Sequence, residues 1–228
     1  MKLSFDVPEG NSSRTLHFEA KHLVIAGWTG RDAAAIEHHI EELSALGVPA
    51  PSAVPLFYRV GTNQLSQDDT VQVVGSETSG EAEPLLFLHA GDYFVSIGSD
   101  HTDRALEAHS VALSKQICVK PVARIAWRLA DVLERWDSLV LRSWIEEDGE
   151  WRIYQEGTLA ALRPPADLIA RCTAADGEPQ EGFAMTCGTV AAIGGIRPAA
   201  RFRMELADAH SGRRISHEYR SVVLPVIA

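Results

Sequence analysis

The chain contains 228 residues, of which 46% are apolar and 23% are charged, a composition typical of a soluble globular protein with a sizeable core. A formal net charge of −10 disfavours nucleic acid and anionic membrane surfaces as partners, although a bound metal would still allow a small anionic ligand. No apolar run is long enough to span a membrane, and three widely spaced cysteines favour free thiols in a reducing compartment, so we expect a cytoplasmic protein.

The first fifty residues are predicted to form strands followed by one helix. The predicted strands lie at residues 3–7, 15–18 and 22–26. After a turn at residues 27–32, apolar residues recur at helical spacing, at positions 36, 40, 43 and 46. Gly47 and Pro49 are expected to end this helix.

The rest of the chain alternates predicted strands with a few predicted helices. Residues 51–69 are expected to form a loop that carries a short apolar piece at residues 56–58. Strands are predicted at residues 71–74, 84–89, 93–97, 139–145, 151–154, 183–186, 201–206 and 215–224. Helices are predicted at residues 102–117, 124–136 and 164–170. This order indicates a β-rich, mixed α+β fold in a single domain of residues 1–228, with residues 1–50 as its N-terminal strands plus helix.

Two acids one residue apart, Glu81 and Glu83, lead into an apolar strand. Because alternate residues of a strand point to the same side, both carboxylates would face one spot. A third acid, Asp100 or Asp103, can reach this spot from the segment that follows the next strand. Three converging carboxylates provide the oxygen ligands that Mg²⁺, Mn²⁺ and Ca²⁺ require. Exposed glutamates at a strand end are nevertheless common, and the spacing alone favours a solvated strand end over a metal site.

Short motifs around these acids resemble those of the fumarylacetoacetate hydrolase superfamily. Residues 100–104, Asp-His-Thr-Asp-Arg, are similar to its Asp-x-Ser/Thr-x-Arg motif, and this match selects Asp100 rather than Asp103. The superfamily also has a preceding Glu-x-Glu pair and a following lysine, for which Lys115 stands here. Residues 182–190 have the spacing of its Gly-Asp-x-x-x-Thr-Gly-Thr-Pro motif.

The ordered motifs cover residues 55–224, and within this range the chain looks like a divergent member of the superfamily. Residues 26–32 and 99–104 are similar to the DUF2848 family. Phe183 replaces the Asp of the C-terminal motif and Val190 replaces its Pro, so the resemblance leaves the substrate open.

The resemblance implies both a fold and a metal site. The fold would be a β-roll like the C-terminal domain of the superfamily, with a few flanking helices and a catalytic-type core at residues 55–224. Glu81, Glu83 and Asp100 would hold Mg²⁺ or Mn²⁺, with Ca²⁺ as a further candidate. The resemblance also implies a homodimer.

Residues near the acids suggest a catalytic apparatus. Lys115 would stabilise negative charge that develops on a substrate oxygen. His101 has the pKa range of a general base, but a residue adjacent to a ligand can also serve only to shape the site. Thr189 and the Gly188 backbone would donate hydrogen bonds to a substrate carboxylate.

Three more residues are candidates for contact with the substrate. Arg104, within the Asp-x-Thr-x-Arg motif, is one of them. Arg59 could clamp a carboxylate, and the adjacent Tyr58 could either assist it or simply pack. The loop at residues 27–32 has the form of an anion site, although an ordinary strand-to-helix turn explains it somewhat better.

These features favour a divalent-metal-dependent hydrolase or lyase that acts on a small anionic 2-oxo acid or β-dicarbonyl compound through an enolate or oxyanion. The departures from the superfamily motifs leave a second hypothesis open, a non-catalytic ligand-binding or scaffold protein with the same fold. A metal-dependent tautomerase or isomerase would use the same residues and differ in the fate of the enolate.

Overall fold

The computed structural model describes residues 1–10, 12–45 and 50–227. The strands are β1 (Lys2–Glu9), β2 (Ser12–Glu19), β3 (His22–Gly27), β4 (Leu56–Val60), β5 (Leu65–Ser66), β6 (Thr70–Val74), β7 (Thr78–Ser79), β8 (Ala82–His89), β9 (Asp92–Ser99), β10 (Thr102–Asp103), β11 (Lys120–Pro121), β12 (Trp127–Arg128), β13 (Val140–Glu147), β14 (Glu150–Thr158), β15 (Phe183–Thr186), β16 (Arg201–Asp208) and β17 (Arg213–Leu224). The α-helices are α1 (Ala33–Ala45), α2 (Arg104–Glu107), α3 (Val111–Gln116) and α4 (Pro165–Asp176). Short 3₁₀ turns lie at Thr62–Gln64, Leu129–Asp131, Leu133–Ser138 and Leu159–Ala161.

Two mixed sheets form the body of the molecule. The six-stranded sheet has the order β12-β9-β8-β15-β3-β4, and the five-stranded sheet has the order β14-β13-β16-β17-β6. Most neighbouring strands are antiparallel, but β15 pairs with β3 and β17 pairs with β6 in parallel. This architecture confirms the predicted β-rich α+β fold.

Strand β8 is covered on both faces, which explains its unbroken apolar run. Leu86 belongs to the large core cluster shared with the five-stranded sheet, where it is joined by Met204 and Leu206. On the opposite face, Phe87 belongs to a second cluster with the β1–β2 hairpin, and its ring stacks on that of Phe5 at a centroid distance of 4.4 Å. The six-stranded sheet is therefore the middle layer of the fold.

The helices differ from the predictions because capping residues and tertiary contacts override apolar spacing. The helix predicted at residues 102–117 is two short helices, since Asp103 accepts a hydrogen bond from the Leu106 amide and Ser110 caps a new helix at the Leu113 amide. The helix predicted at residues 124–136 is wrong: the chain there pairs with β9 and then forms 3₁₀ turns.

Other boundaries also differ. The apolar piece at residues 56–58 lies in strand β4, which pairs with β3, rather than in a loop. Helix α4 continues to Asp176, six residues beyond the predicted end. Helix α1 begins after Asp32, whose carboxylate accepts hydrogen bonds from the amides of Ala34 and Ala35. Its predicted end at Gly47 and Pro49 lies outside the described residues. Among the described residues, the helices lack the length and apolarity that a membrane span requires.

Candidate metal centre and active site

Three carboxylates meet where the hairpin of β8 and β9 is open. Glu83 lies near the start of β8, where it pairs with Gly98 of β9, and Glu81 immediately precedes β8. Asp100 directly follows β9, and its amide donates a hydrogen bond to the Glu81 carbonyl at 2.9 Å. One carboxylate oxygen from each acid lies within 4.8 Å of the others. Antiparallel pairing therefore brings together acids that are distant in sequence.

Burial places these acids under unusual electrostatic conditions. Glu83 is only 3% exposed, and desolvation together with the negative charge of Asp100 raises the pKa of Glu83 to about 8. Burial also raises the pKa of Glu81, although Arg104 opposes it. Burial acts in the same direction on Asp100, but the ammonium groups of Lys115 and Lys120 outweigh it and hold the pKa of Asp100 well below its usual range. The two neighbouring ammonium groups therefore stabilise the ionised form of Asp100.

Two buried lysines share the carboxylate of Asp100. The Lys115 ammonium donates to Asp100 Oδ2, and the Lys120 ammonium lies 3.1 Å from Asp100 Oδ1. Lys120 also donates to the His101 carbonyl. Although burial lowers the pKa of Lys115, Asp100 and Glu81 raise it above its usual value, so Lys115 stays protonated at neutral pH.

Gly188 and Thr189 brace the acid-bearing strand. The Gly188 amide donates to Glu83 Oε2 at 2.9 Å, and the Thr189 hydroxyl donates to the Ala82 carbonyl at 2.7 Å. Gly188 has a φ of 89°, and a Cβ added to it would lie 1.7 Å from Thr29 Oγ1, so glycine is required there. Both donors therefore face protein acceptors, and their contact with a substrate carboxylate stays a prediction.

Arg104 is likewise engaged by the protein itself. One of its terminal nitrogens lies 3.1 Å from Glu81 Oε1, the other donates to Glu107, and its Nε donates to the Ser79 hydroxyl at 2.7 Å. Arg104 therefore holds the Glu81 carboxylate, and its contact with a substrate stays a prediction.

Tyr58 and Arg59 point to opposite faces of β4, as adjacent strand residues must. The Tyr58 ring faces the site, and the Lys115 ammonium lies 5.6 Å from its centroid. Arg59 forms an ion pair with Asp176 at the end of α4. The structure therefore places Tyr58 beside the cluster and Arg59 in an ion pair on the other face of the strand, and a contact of either residue with a substrate stays a prediction.

His101 lies next to the cluster but is fully buried. Its Nδ1 shares a hydrogen bond of 2.9 Å with the Tyr219 hydroxyl, which also contacts the Ser99 hydroxyl at 2.9 Å. Burial, reinforced by the positive charge of Lys120, lowers the pKa of His101 to about 3. A histidine with this pKa is a poor general base at neutral pH, and the contacts of His101 favour the alternative in which it shapes the site.

The sequence patterns missed three residues around the cluster, namely Lys120, Gln155 and Tyr219. Gln155 is the most connected of them, since its side chain accepts from the Ala82 amide at 3.0 Å and donates to the Thr189 hydroxyl at 2.6 Å. Gln155 and Tyr219 come from the five-stranded sheet, and no local motif marks them. For Lys120, the sequence offered one signal, which is its position shortly after Lys115 and directly before Pro121.

The loop at residues 27–32 is a structural turn, as the sequence favoured. Arg31 donates to the Leu162 carbonyl and pairs with Asp137, with 2.7 Å between Nη1 and Oδ2. Asp32 caps α1. The charge of Arg31 is therefore directed at Asp137.

The donor chemistry of the cluster fits a divalent cation. Glu81, Glu83 and Asp100 offer carboxylate oxygens, which are the ligands of Mg²⁺, Mn²⁺ and Ca²⁺. Burial and, after it, the negative charge of Asp100 raise the pKa of Glu83, and a bound cation would favour the ionised form of Glu83.

The fold defines the class of protein first. A candidate fumarylacetoacetate isomerase/hydrolase from Oleispira antarctica has a similar structure, with a TM-score of 0.64 and 16% identity over 96% of this chain and 99% of that chain. A 2-keto-3-deoxy-D-arabinonate dehydratase, solved with magnesium and 2,5-dioxopentanoate, gives a TM-score of 0.62 and 14% identity over 96% of this chain and 79% of that chain. A candidate fumarylacetoacetate hydrolase family protein from Yersinia pestis gives a TM-score of 0.63 and 16% identity over 90% of this chain and 94% of that chain. The chain thus has the fumarylacetoacetate hydrolase-like fold.

Within this class, the chain belongs to the family described as "Protein of unknown function (DUF2848)", whose profile matches residues 26–219. A search of curated proteins finds no match.

Proposed function

We propose that this chain is a divalent-metal-dependent hydrolase or lyase that acts on a small 2-oxo acid or β-dicarbonyl compound. The observation that carries the proposal is the convergence of Glu81, Glu83 and Asp100 beside the buried ammonium of Lys115. The magnesium and 2,5-dioxopentanoate bound to one dehydratase of the same fold support the coarse chemistry.

Glu81, Glu83 and Asp100 would hold the cation, with Mg²⁺ or Mn²⁺ as the first candidates and Ca²⁺ as the third. When bound, such a cation polarises chelated carboxylate and keto oxygens as a Lewis acid. Arg104 and the Gly188 amide orient the two glutamates, which reduces the reorganisation that ligand binding requires.

Lys115 supplies the positive charge that the reaction uses. Its pKa is held above the usual value, because Asp100 and Glu81 outweigh the effect of burial, so it acts as a hydrogen-bond donor and not as a base. Its ammonium stabilises negative charge that develops on a substrate oxygen. Tyr58, whose ring lies beside this ammonium, forms a wall of the site.

His101 acts through its neighbours. Its ring is held by Tyr219, and its carbonyl accepts a hydrogen bond from Lys120. This arrangement fixes the backbone next to Asp100 and thereby the direction of the Asp100 carboxylate.

The cellular setting is part of the same proposal. Cys118, Cys172 and Cys187 are free and buried, as a reducing compartment such as the cytoplasm favours. The proposal also includes a single-domain chain that forms a homodimer, as the superfamily resemblance implies.

Metal titration combined with a substrate panel tests this function. Isothermal titration with Mn²⁺ and Mg²⁺ should show one site in the wild type, and Glu83→Ala should abolish it because a ligand is lost. Substitution of the exposed Glu178 by alanine is the matched control and should leave binding unchanged. The wild type should then convert at least one member of a panel of 2-oxo acids and β-dicarbonyl compounds, with products identified by mass spectrometry.

The same experiment distinguishes the alternatives. The first alternative is a non-catalytic ligand-binding or scaffold protein with the same fold, which the departures at Phe183 and Val190 from the superfamily motif motivate. Metal and ligand binding without turnover of any compound would support that alternative. A product isomeric with its substrate would indicate the tautomerase or isomerase, and the absence of metal binding would contradict the proposal.

A further inference from the structure

Lysines are scarce in this chain, and half of them are buried against the carboxylate of Asp100. The four lysines are Lys2, Lys21, Lys115 and Lys120, and all other basic side chains apart from histidine are arginines. Lys2 and Lys21 are exposed, whereas Lys115 and Lys120 both contact Asp100. Lys115 has the catalytic role proposed above, but that role does not require a second ammonium.

Lys120 is held in place from several directions. It lies in β11, where it pairs in parallel with Leu65 of β5. Its ammonium lies 3.1 Å from Asp100 Oδ1 and donates to the His101 carbonyl, and the residue is only 1% exposed. Lys120 therefore cannot reach a ligand in solvent, and it acts on the site through Asp100.

The formal charges of the cluster nearly cancel when all of its groups are ionised. Glu81, Glu83 and Asp100 contribute three negative charges, and Glu107, which pairs with Arg104, contributes a fourth. Arg104, Lys115 and Lys120 contribute three positive charges; burial lowers the pKa of Lys120, but its contact with Asp100 favours the charged form. A divalent cation added to this group leaves one positive charge that the protein does not balance, and buried uncompensated charge is unfavourable.

From this balance we propose that Lys120 is a fixed countercharge that weakens binding of a divalent cation alone and couples it to binding of a chelating anion. The inference rests on the metal site of the proposed function and assigns a role to a residue that this function leaves unused. A chelating anion compensates the excess positive charge of the metal-loaded wild type, whereas a site without Lys120 is balanced by the cation alone. Oxalate is the probe for the chelating anion.

Calorimetric titration of the full chain with Mn²⁺ tests the countercharge. Lys120→Met, which keeps side-chain length and removes the charge, should bind Mn²⁺ at least about tenfold more tightly than the wild type, since a buried unit charge near the ion acts at an effective dielectric of about 20. Lys2→Met, the same substitution at an exposed site, should not change the affinity. Unchanged or weaker binding by Lys120→Met would overturn the proposal.

A second variant and a second ligand make the test independent of one protein's folding. Lys120→Gln retains a donor for the His101 carbonyl and should tighten Mn²⁺ binding in the same direction. Oxalate should strengthen Mn²⁺ binding to the wild type by a factor at least about tenfold larger than in either variant, after correction for the complex of Mn²⁺ with oxalate in solution. Equal coupling in wild type and variants would overturn the proposal.

Failure of this inference is distinguishable from failure of the proposed function. If the wild type binds Mn²⁺ through Glu83 and neither Lys120 variant binds it more tightly, only the inference fails. If neither the wild type nor the Lys120 variants bind Mn²⁺, the metal site itself is wrong and both fail.

Discussion

Each acid of the cluster is held by a different kind of group. Glu83 accepts from the backbone amide of Gly188, Glu81 faces the guanidinium of Arg104, and Asp100 lies between two ammonium groups. Charged and backbone donors of this kind fix carboxylate orientation more strongly than neutral side chains do. The direction of each potential ligand is therefore set by the protein before any cation binds.

Lys115→Met should reduce turnover of any identified substrate by at least about a hundredfold, because one buried donor to a developing oxyanion is lost. Mn²⁺ binding should be retained, since Glu81, Glu83 and Asp100 remain. Steady-state kinetics and metal titration on the same preparation provide the measurement, with Lys21→Met at an exposed position as the control. Full activity of Lys115→Met would refute the role given to Lys115.

Gly188→Ala should destabilise the fold by more than about 2 kcal/mol, because it adds a steric clash to a backbone conformation that disfavours side chains. Its φ is 89°, and its new Cβ would meet Thr29 Oγ1 at 1.7 Å. Gly149→Ala is the matched control: its φ is 80° with nothing within 4 Å of the added Cβ, so it should cost only about 1–2 kcal/mol. Urea unfolding compares the two, and an equal loss would show that the Thr29 contact is unimportant.

At the scale of elements, the hairpin of β8 and β9 was predictable, while two of the helices were not. The strands predicted at residues 84–89 and 93–97 marked the hairpin, and it places the predicted acids together. In residues 124–136, the apolar spacing arises from packing of an irregular segment: Trp127 pairs with Val95 of β9, and Val132 and Trp136 are buried in the main core. Periodicity reports burial and does not by itself identify the backbone conformation.

The candidate site was predictable to the extent that its residues share a local motif. Glu81 and Glu83 could be placed together because alternate strand residues share a face, and Asp100 followed from the superfamily resemblance. Gln155 could not be found this way, because its contacts with Ala82 and Thr189 depend on how two sheets pack. The same packing engages the Thr189 hydroxyl in a hydrogen bond to the Ala82 carbonyl, whereas the motif alone suggested that this hydroxyl was free.

The turn between β16 and β17 anchors the irregular segment through Asp208. This carboxylate accepts from the Ser211 hydroxyl at 2.6 Å and from Arg135 Nε at 2.9 Å. Although burial opposes the change, the hydrogen bonds from Ser211 and Arg135 lower the pKa of Asp208 to about 2 from an ordinary value of 3.8. Arg135 lies in the 3₁₀ segment, so Asp208 joins that segment to the five-stranded sheet.

Asp208 should therefore contribute about 2 kcal/mol to the free energy of unfolding above pH 4, from about 1.4 kcal/mol per unit of pKa shift. Because the pKa is lowered on folding, this contribution is present above the unfolded value and is lost as the pH falls from about 4 to about 2. Denaturant unfolding of wild type and Asp208→Asn should show a stability gap at pH 7 that narrows towards pH 2. A gap independent of pH would contradict the assignment.

At the scale of the whole molecule, the five-stranded sheet supports a site carried by the six-stranded sheet. Gln155 of β14 and Tyr219 of β17 reach across the interface to the segments that flank Glu81 and Asp100. Gly80 allows this close approach, because a Cβ there would lie 2.5 Å from the Tyr219 hydroxyl. The chemistry proposed for the cluster therefore depends on the packing of both sheets.

The central claim is that Glu81, Glu83 and Asp100 form a divalent-metal site, and anomalous diffraction from crystals grown with Mn²⁺ tests it most directly. The account predicts a manganese peak within about 2.0–2.6 Å of one oxygen from each of the three carboxylates, and its loss in Glu83→Ala. A peak held by other residues, or no peak at the cluster at saturating Mn²⁺, would contradict the account.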